Sequence, residues 1–227
     1  MKYFLLLFII GLSLSYLALQ SSCWIIEGIL LWTAFSFLLV SAAYVWIGPK
    51  LFGKGPDGQL DKLRVVLLFP YLFLNWILWN IQRLITREHC CSQIRPGLWL
   101  GRRAFLNEIP EDVTMIVDLA CEFAAPRNVN KKGGYLSCPM LDGSTIDKQE
   151  FLVLIKRITS WDGSVFIHCA QGHGRSATVV AAALIAKGFA NDLDDALSII
   201  KRSRPRVHLN RNQRKMIESI LLTEIYP

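Results

Sequence analysis

The stretch His168-Cys169-Ala170-Gln171-Gly172-His173-Gly174-Arg175-Ser176 decides how the chain folds. Ahead of it, Ser164-Val165-Phe166-Ile167-His168 is a short β-rich run. Behind it, Ala177 to Lys187 is a run of small and aliphatic residues with helical texture. A strand therefore feeds a tight loop with two glycines, and the loop feeds a helix. Glycines let the backbone turn its amides inward, and the helix start at Arg175 adds the positive end of a dipole. The guanidinium offers a forked pair of donors that matches two phosphate oxygens. A cysteine at the mouth of such a loop feels the same field, which favours the nucleophilic thiolate. One loop thus holds an anion trap and a nucleophile.

Outward from this loop the chain alternates strand and helix patterns. Leu98-Trp99-Leu100, ending at Gly101, Met115 to Leu119, and Tyr135 to Pro139 read as further short strands. Phe151, Leu152, Leu154, Ile155 and Ile158 repeat at helical spacing behind Asp147, which with Glu150 has the pattern of a capping box. Leu193 to Arg202 and Asn210 to Leu222 read as amphipathic helices. The pattern predicts an α/β domain with a central sheet flanked by helices and covered on both faces.

A cysteine six residues before an arginine is a weak signal alone. The preceding strand, the glycines at the third and fifth positions after Cys169, Ser176 directly after Arg175, and the following helix make it specific. With these features the chain resembles the cysteine-dependent protein phosphatases, in particular the dual-specificity type, from Ile94-Arg95-Pro96-Gly97-Leu98-Trp99-Leu100-Gly101 through Arg204-Pro205 and Gln213. The resemblance implies a thiolate at Cys169 that attacks phosphorus and forms a phosphocysteine. It implies a phosphate-binding loop of Ala170, Gln171, Gly172, His173, Gly174 and Arg175, with Ser176 assisting the departing thiolate. It also implies a general acid from a loop roughly thirty residues ahead of the cysteine, a place Asp142 occupies; Asp147 is the rival and fits better as a helix cap. No cofactor or metal is expected.

Other residues have plainer readings. His168 is expected to orient the loop, His173 to touch substrate or be solvated, and Asp118 and Glu122 to cap or be solvated. Arg204, Arg206, Arg211 and Arg214 read as a solvated basic face. Cys23, Cys90, Cys91, Cys121, Cys138 and Cys169 show no disulfide framework or metal spacing. Cys121 and Cys138 are expected to be buried rather than to resolve an oxidised Cys169, and Cys90-Cys91 is a candidate lipidation site.

The chain has 227 residues, 52% of them hydrophobic and only 19% charged, and a mean hydropathy of +0.34. The apolar excess is concentrated near the start. After Lys2 no charge occurs until Glu27, and none again from Gly28 to Pro49. A bilayer core of about 30 Å needs roughly 20 apolar residues in a helix. Residues 3–20 and 24–48 are read as membrane helices, and residues 65–82, bounded by Arg64 and Arg83, as a third span or an interfacial helix. A cleavable leader is the competing reading of the first stretch, but no small-x-small site follows it. Residues 1–88 are thus expected to be a membrane anchor and residues 92–227 the catalytic domain.

Lys50, Lys54, Lys62 and Arg64 place the second connection on the cytoplasmic side under the positive-inside bias, whereas Ser21 to Glu27 has no basic residue. A reducing compartment suits a catalytic thiolate, so an integral membrane protein with a cytoplasmic catalytic domain is expected. The pI of about 9.2 sums juxtamembrane charges and a mildly basic domain, and is not a nucleic-acid footprint. The expected function is a membrane-anchored phosphatase acting on phosphotyrosine, phosphoserine or phosphothreonine in proteins, because Ala170 and Gln171 are neutral where lipid-directed relatives carry basic residues. The alternative substrate is a phospholipid head group, phosphatidylglycerophosphate or a phosphoinositide. A third reading, an inactive adaptor that binds phosphorylated partners, conflicts with the intact set of Cys169, Arg175 and Asp142.

Overall fold

A computed structural model describes residues 2–129 and 133–221. They divide into two units. The first comprises the chain up to Gly55 with Gln59–Thr86 and Cys121–Ala124; the second comprises Pro56–Gly58, Arg87–Ala120 and the chain from Ala125 onward.

The first unit is helical. α1 spans Lys2–Leu19, α2 Trp24–Ala42 and α3 Lys62–Ile85. α2 runs on through a wider turn at Ala43–Ile47 and a tighter one at Gly48–Phe52. Gly11 lets α1 and α2 cross closely, since a Cβ there would lie 2.7 Å from the Leu38 side chain. Asp61 caps α3 by accepting from the Arg64 amide at 3.0 Å. The segment read as 65–82 is therefore the middle of a longer helix. By length and composition all three helices can cross a membrane.

The second unit is an α/β domain around a five-stranded mixed sheet of order β1-β2-β5-β3-β4. The strands are β1 (Cys91–Arg95), β2 (Leu98–Arg102), β3 (Val113–Ala120), β4 (Gly134–Met140) and β5 (Ser164–Cys169). β1 pairs antiparallel with β2, and every other pairing is parallel. The helices are α4 (Lys148–Thr159), α5 (Arg175–Ala186), α6 (Leu193–Ser203) and α7 (Arg211–Leu221); Leu222, the predicted end of the last helix, lies outside the described residues.

Alternation along the strands divides the core. Leu98, Leu100, Met115, Val117, Leu119, Val165 and Ile167 face the layer of α4 to α7. Ile116 and Phe166 face the other way, where within this unit Ala104, Ile109, Ala125 and Val129 from connecting segments cover them. The helices of this unit flank one face and connecting segments cover the other, so the sheet is flanked by helices and covered on both faces as the sequence pattern predicts. The central strand β5 is buried along nearly its whole length, and α5 behind it has eleven of its twelve residues buried. Small side chains at Ala177, Ala181, Ala182 and Ala183 let α5 lie close to the sheet. A ligand site in such a sheet forms at the carboxyl ends of the strands, and β5 ends in Cys169.

Candidate active site

Cys169 is the last residue of β5, and the next five carbonyls all turn away from it. The Ala170 carbonyl accepts from the Arg103 amide at 3.2 Å, and the His173 carbonyl from the His208 amide at 3.2 Å. Gln171 and Gly172 carbonyls accept from Arg204 at 3.1 and 3.2 Å, and the Gly174 carbonyl from the Thr178 amide at 2.9 Å. A planar trans peptide points its N–H opposite its C=O, so outward carbonyls give inward amides. The Gly172 amide accordingly donates to Cys169 Sγ at 3.2 Å. Gly172 has φ of +80°, and a Cβ there would meet the Gly101 carbonyl carbon at 2.5 Å, so this position requires glycine twice over.

Arg175 opens α5 and is 1% exposed. Its Nη1 donates to the Met140 carbonyl at 2.9 Å, and its Nη2 lies 3.3 Å from Asp142 Oδ1. The guanidinium is thus anchored at the end of β4 and levelled with the loop mouth, where the helix dipole adds positive potential. Ser176 is fully buried, with Oγ 3.3 Å from Cys169 Sγ. Asp142 sits on the loop after β4 with its side chain 57% exposed, and that loop is tied to the start of α7 by Asn210 Nδ2 donating to the Gly143 carbonyl at 2.6 Å. Asp147 is engaged elsewhere as the cap of α4, accepting from the Gln149 amide at 2.8 Å.

His168 is buried under the loop. Its Nδ1 is 3.4 Å from the Cys169 carbonyl, and its Nε2 is 3.9 Å from Asp118 Oδ1. Asp118 itself accepts from the Ala120 amide at 3.0 Å and from the Tyr135 hydroxyl at 2.9 Å. Burial, then the charge of Asp118, pushes the Tyr135 hydroxyl up from its ordinary range, so it stays a donor. The structure thus brings Cys169, Arg175, Ser176, Asp142 and His168 to one end of the sheet. Among the described residues no group of three or more His, Cys, Asp or Glu converges on a metal-binding set.

The family model of the dual-specificity phosphatase catalytic domain matches residues 107–220, half of the chain. The chain belongs to the dual-specificity phosphatases. The domain is that of a phosphatase, and the fold has many solved counterparts. Tk-PTP in its active form is 23% identical, with a TM-score of 0.54 over 60% of this chain and 98% of that one. DUSP15 is also 23% identical, with a TM-score of 0.54 over 61% of this chain and 92% of that one. A curated relative, the phosphatidylglycerophosphate phosphatase PTPMT2 of Arabidopsis thaliana, is 23% identical over 184 residues, covering 73% of this chain and 79% of its own.

Three features of this dual-specificity phosphatase depart from or refine the sequence reading. Arg204 is 1% exposed and holds the Cys169 loop from beneath, instead of joining Arg206 and Arg211 on a solvated face. Asp118 is buried within β3 and accepts from the Ala120 amide, so its solvated reading fails and its capping reading fits. His173 neither enters the cradle nor stands free in solvent: its Nε2 lies 2.5 Å from Glu88 Oε2. The signal available for Arg204 was Pro205 directly after it, which ends α6 and holds the arginine at a fixed place; Glu88 carried no local signal. Cys138 packs against the core, and burial, with the charge of Glu150, pushes its thiol up to about 11, the behaviour of a structural cysteine.

Proposed function

We propose that this phosphatase hydrolyses phosphomonoesters through a phosphocysteine at Cys169 and is held in a membrane by its N-terminal helices. The observation that carries the reading is the convergence of the Gly172 amide, Ser176 Oγ and Arg175 around Cys169, with Asp142 3.3 Å from Arg175. In the first step the Cys169 thiolate attacks phosphorus, the bond to the ester oxygen breaks, and Asp142 delivers its proton to that oxygen. The loop amides and Arg175 take the charge on the equatorial oxygens. In the second step Asp142 removes a proton from water, the water oxygen attacks phosphorus, and the thiolate departs toward the Ser176 hydroxyl. Cys169→Ser abolishes turnover of an aryl phosphate under this mechanism. Full activity in that variant refutes it.

For the substrate, a phospholipid phosphomonoester is favoured. The likeness to PTPMT2 covers 73% of the chain, more than the stretch from Ser92 to the end, so it reaches into the apolar region as well as the catalytic domain. Three helices able to cross a membrane would keep the site at a lipid surface. The phosphoprotein reading rests on neutral Ala170 and Gln171, and comes second. Turnover of phosphatidylglycerophosphate in vesicles against turnover of phosphotyrosine and phosphothreonine peptides decides between them.

The catalytic domain is assigned to the cytoplasmic side, with α3 along the interface after two spans. Cys23 is exposed between α1 and α2. In sealed cells a membrane-impermeant maleimide then labels Cys23 and spares Cys169. Labelling of Cys169 in place of Cys23 reverses the topology.

A further inference from the structure

The residues just ahead of β1 are built into the underside of the phosphate loop. Arg204, whose guanidinium holds the Gln171 and Gly172 carbonyls, also donates to the His89 carbonyl at 2.9 Å and to Ser92 Oγ at 3.3 Å. Its Nη2 lies 3.4 Å from Glu88 Oε2, the same oxygen that lies 2.5 Å from His173 Nε2. The Cys90 carbonyl accepts from the Arg102 amide at 3.0 Å and leaves no room for a side chain at Gly101, against which Gly172 packs. Residues 88–92 thus meet the loop through both Arg204 and the end of β2.

His173 stands between Gly172 and Gly174, two residues whose backbones are free to take many shapes. Gly172 holds φ of +80°, and Gly174, the cap of α5, holds φ of −113° and ψ of −84°. Nothing intrinsic to a Gly-His-Gly turn selects these values. Within the turn only His173 has a side chain, and that side chain is fixed by Glu88. Its carbonyl is held separately by the His208 amide at 3.2 Å.

We propose that Glu88 is a positioning residue for the phosphate loop: by holding His173 and Arg204 on one carboxylate oxygen, it keeps the Gly172-His173-Gly174 turn in its oxyanion-binding shape before substrate arrives. The proposal rests on the reading of this loop as the phosphate site. Burial alone would raise the Glu88 carboxyl, but the His173 hydrogen bond and the charges of His173 and Arg204 bring it below its ordinary value, so it is a carboxylate at neutral pH. A turn held in advance costs less to order on binding, so its loss weakens ground state and transition state alike and enters KM rather than kcat.

The test uses the full-length protein in detergent micelles, with inorganic tungstate as an oxyanion probe and an aryl phosphate as substrate. Glu88→Gln and His173→Ala are each expected to raise the tungstate inhibition constant and the KM about five- to tenfold, with kcat within about twofold. The double variant is expected to be no worse than the poorer single one, because one change takes the charge from the Glu88–His173 contact and the other removes that same contact. His173→Ala leaves the Glu88–Arg204 pair intact and so decides the matter if Glu88→Gln folds poorly. A tungstate constant within about twofold of wild type in His173→Ala, a loss confined to kcat, or additive losses in the double variant would each overturn the proposal. Wild-type protein that neither binds tungstate nor hydrolyses the aryl phosphate would refute the phosphate-site reading itself, a different result from a wild type that works and variants that match it.

Discussion

The helical unit and the α/β unit satisfy their polar groups with different mixtures of local and distant contact, although Ser41 of α2 does donate to the Phe4 carbonyl of α1 at 3.0 Å. In α1 to α3, Ser15, Thr33, Asn75 and Asn80 each donate to the carbonyl four residues back on their own helix, at 2.8–2.9 Å. In the α/β unit the side chains that shape the site reach far along the chain: Asn210 bonds to a carbonyl 67 residues away, and Arg204 to carbonyls 33 and 115 residues away. The surfaces differ in the same sense. Among the described residues, Phe105, Val153 and Phe189 are the only large hydrophobic side chains counted as exposed beyond Ile85, whereas α1, α2 and α3 expose leucines, isoleucines and tryptophans along their length. Local satisfaction is what a solvent without hydrogen bonds demands, and long-range polar contact is what fixes loops in water.

The largest effect is expected at Arg204. Arg204→Ala leaves the Gln171 and Gly172 carbonyls, the His89 carbonyl and the Glu88 carboxylate without their shared donor. Removing one partner of a buried charged pair costs about 3–5 kcal/mol, and the variant is expected to lose about that much stability in thermal or denaturant unfolding of the detergent-solubilised protein. A loss below about 1 kcal/mol would mean that long-range polar contacts do not hold this unit together.

How much of this was legible follows the same division. The four strands that carry the core and the four helices beside them were readable because period-two and helical spacing are local properties, visible in runs such as Met115 to Leu119 and Phe151 to Ile158. β1 escaped because its sequence is polar and only Ile94 is buried in it; the Pro96-Gly97 pair, with Gly97 at φ of +76°, was the available hairpin signal. The loop after Cys169 was legible through its glycine spacing. Arg204 and Glu88 did not, since the burial of a charge depends on partners that are distant in sequence: the pair they form joins residues 116 apart.

Asp142 and Asp147 sharpen the comparison within the α/β unit, where a long-range and a local role stand five residues apart. Asp142→Ala is expected to lower kcat about 10²–10³-fold with little change in stability, because its side chain is 57% exposed and its charged partner is Arg175. Asp147→Ala is expected to cost about 1 kcal/mol of stability through the lost cap, with kcat within about twofold. Stopped-flow turnover of an aryl phosphate and thermal unfolding separate the two. The reverse pattern would move the general acid to Asp147.

The smallest effect is expected at Asn80, in the helical unit. Its amide donates to the Trp76 carbonyl at 2.8 Å, and that carbonyl sits inside α3, where the helix ladder already supplies it with a backbone partner. Asn80→Leu therefore orphans no acceptor and replaces a polar group by one that suits an apolar surface. The change in thermal stability in detergent is expected to stay within about 0.5 kcal/mol, and activity to be unaltered. Asn210→Leu is the matched control: it removes the 2.6 Å bond to Gly143 and the 3.0 Å bond that Asn210 Oδ1 accepts from the Gln213 amide, and is expected to cost about 1–3 kcal/mol. Equal losses at Asn80 and Asn210 would show that the helical unit depends on a local side-chain bond as heavily as the α/β unit depends on a distant one, and the contrast between the two units would fail where it should be strongest.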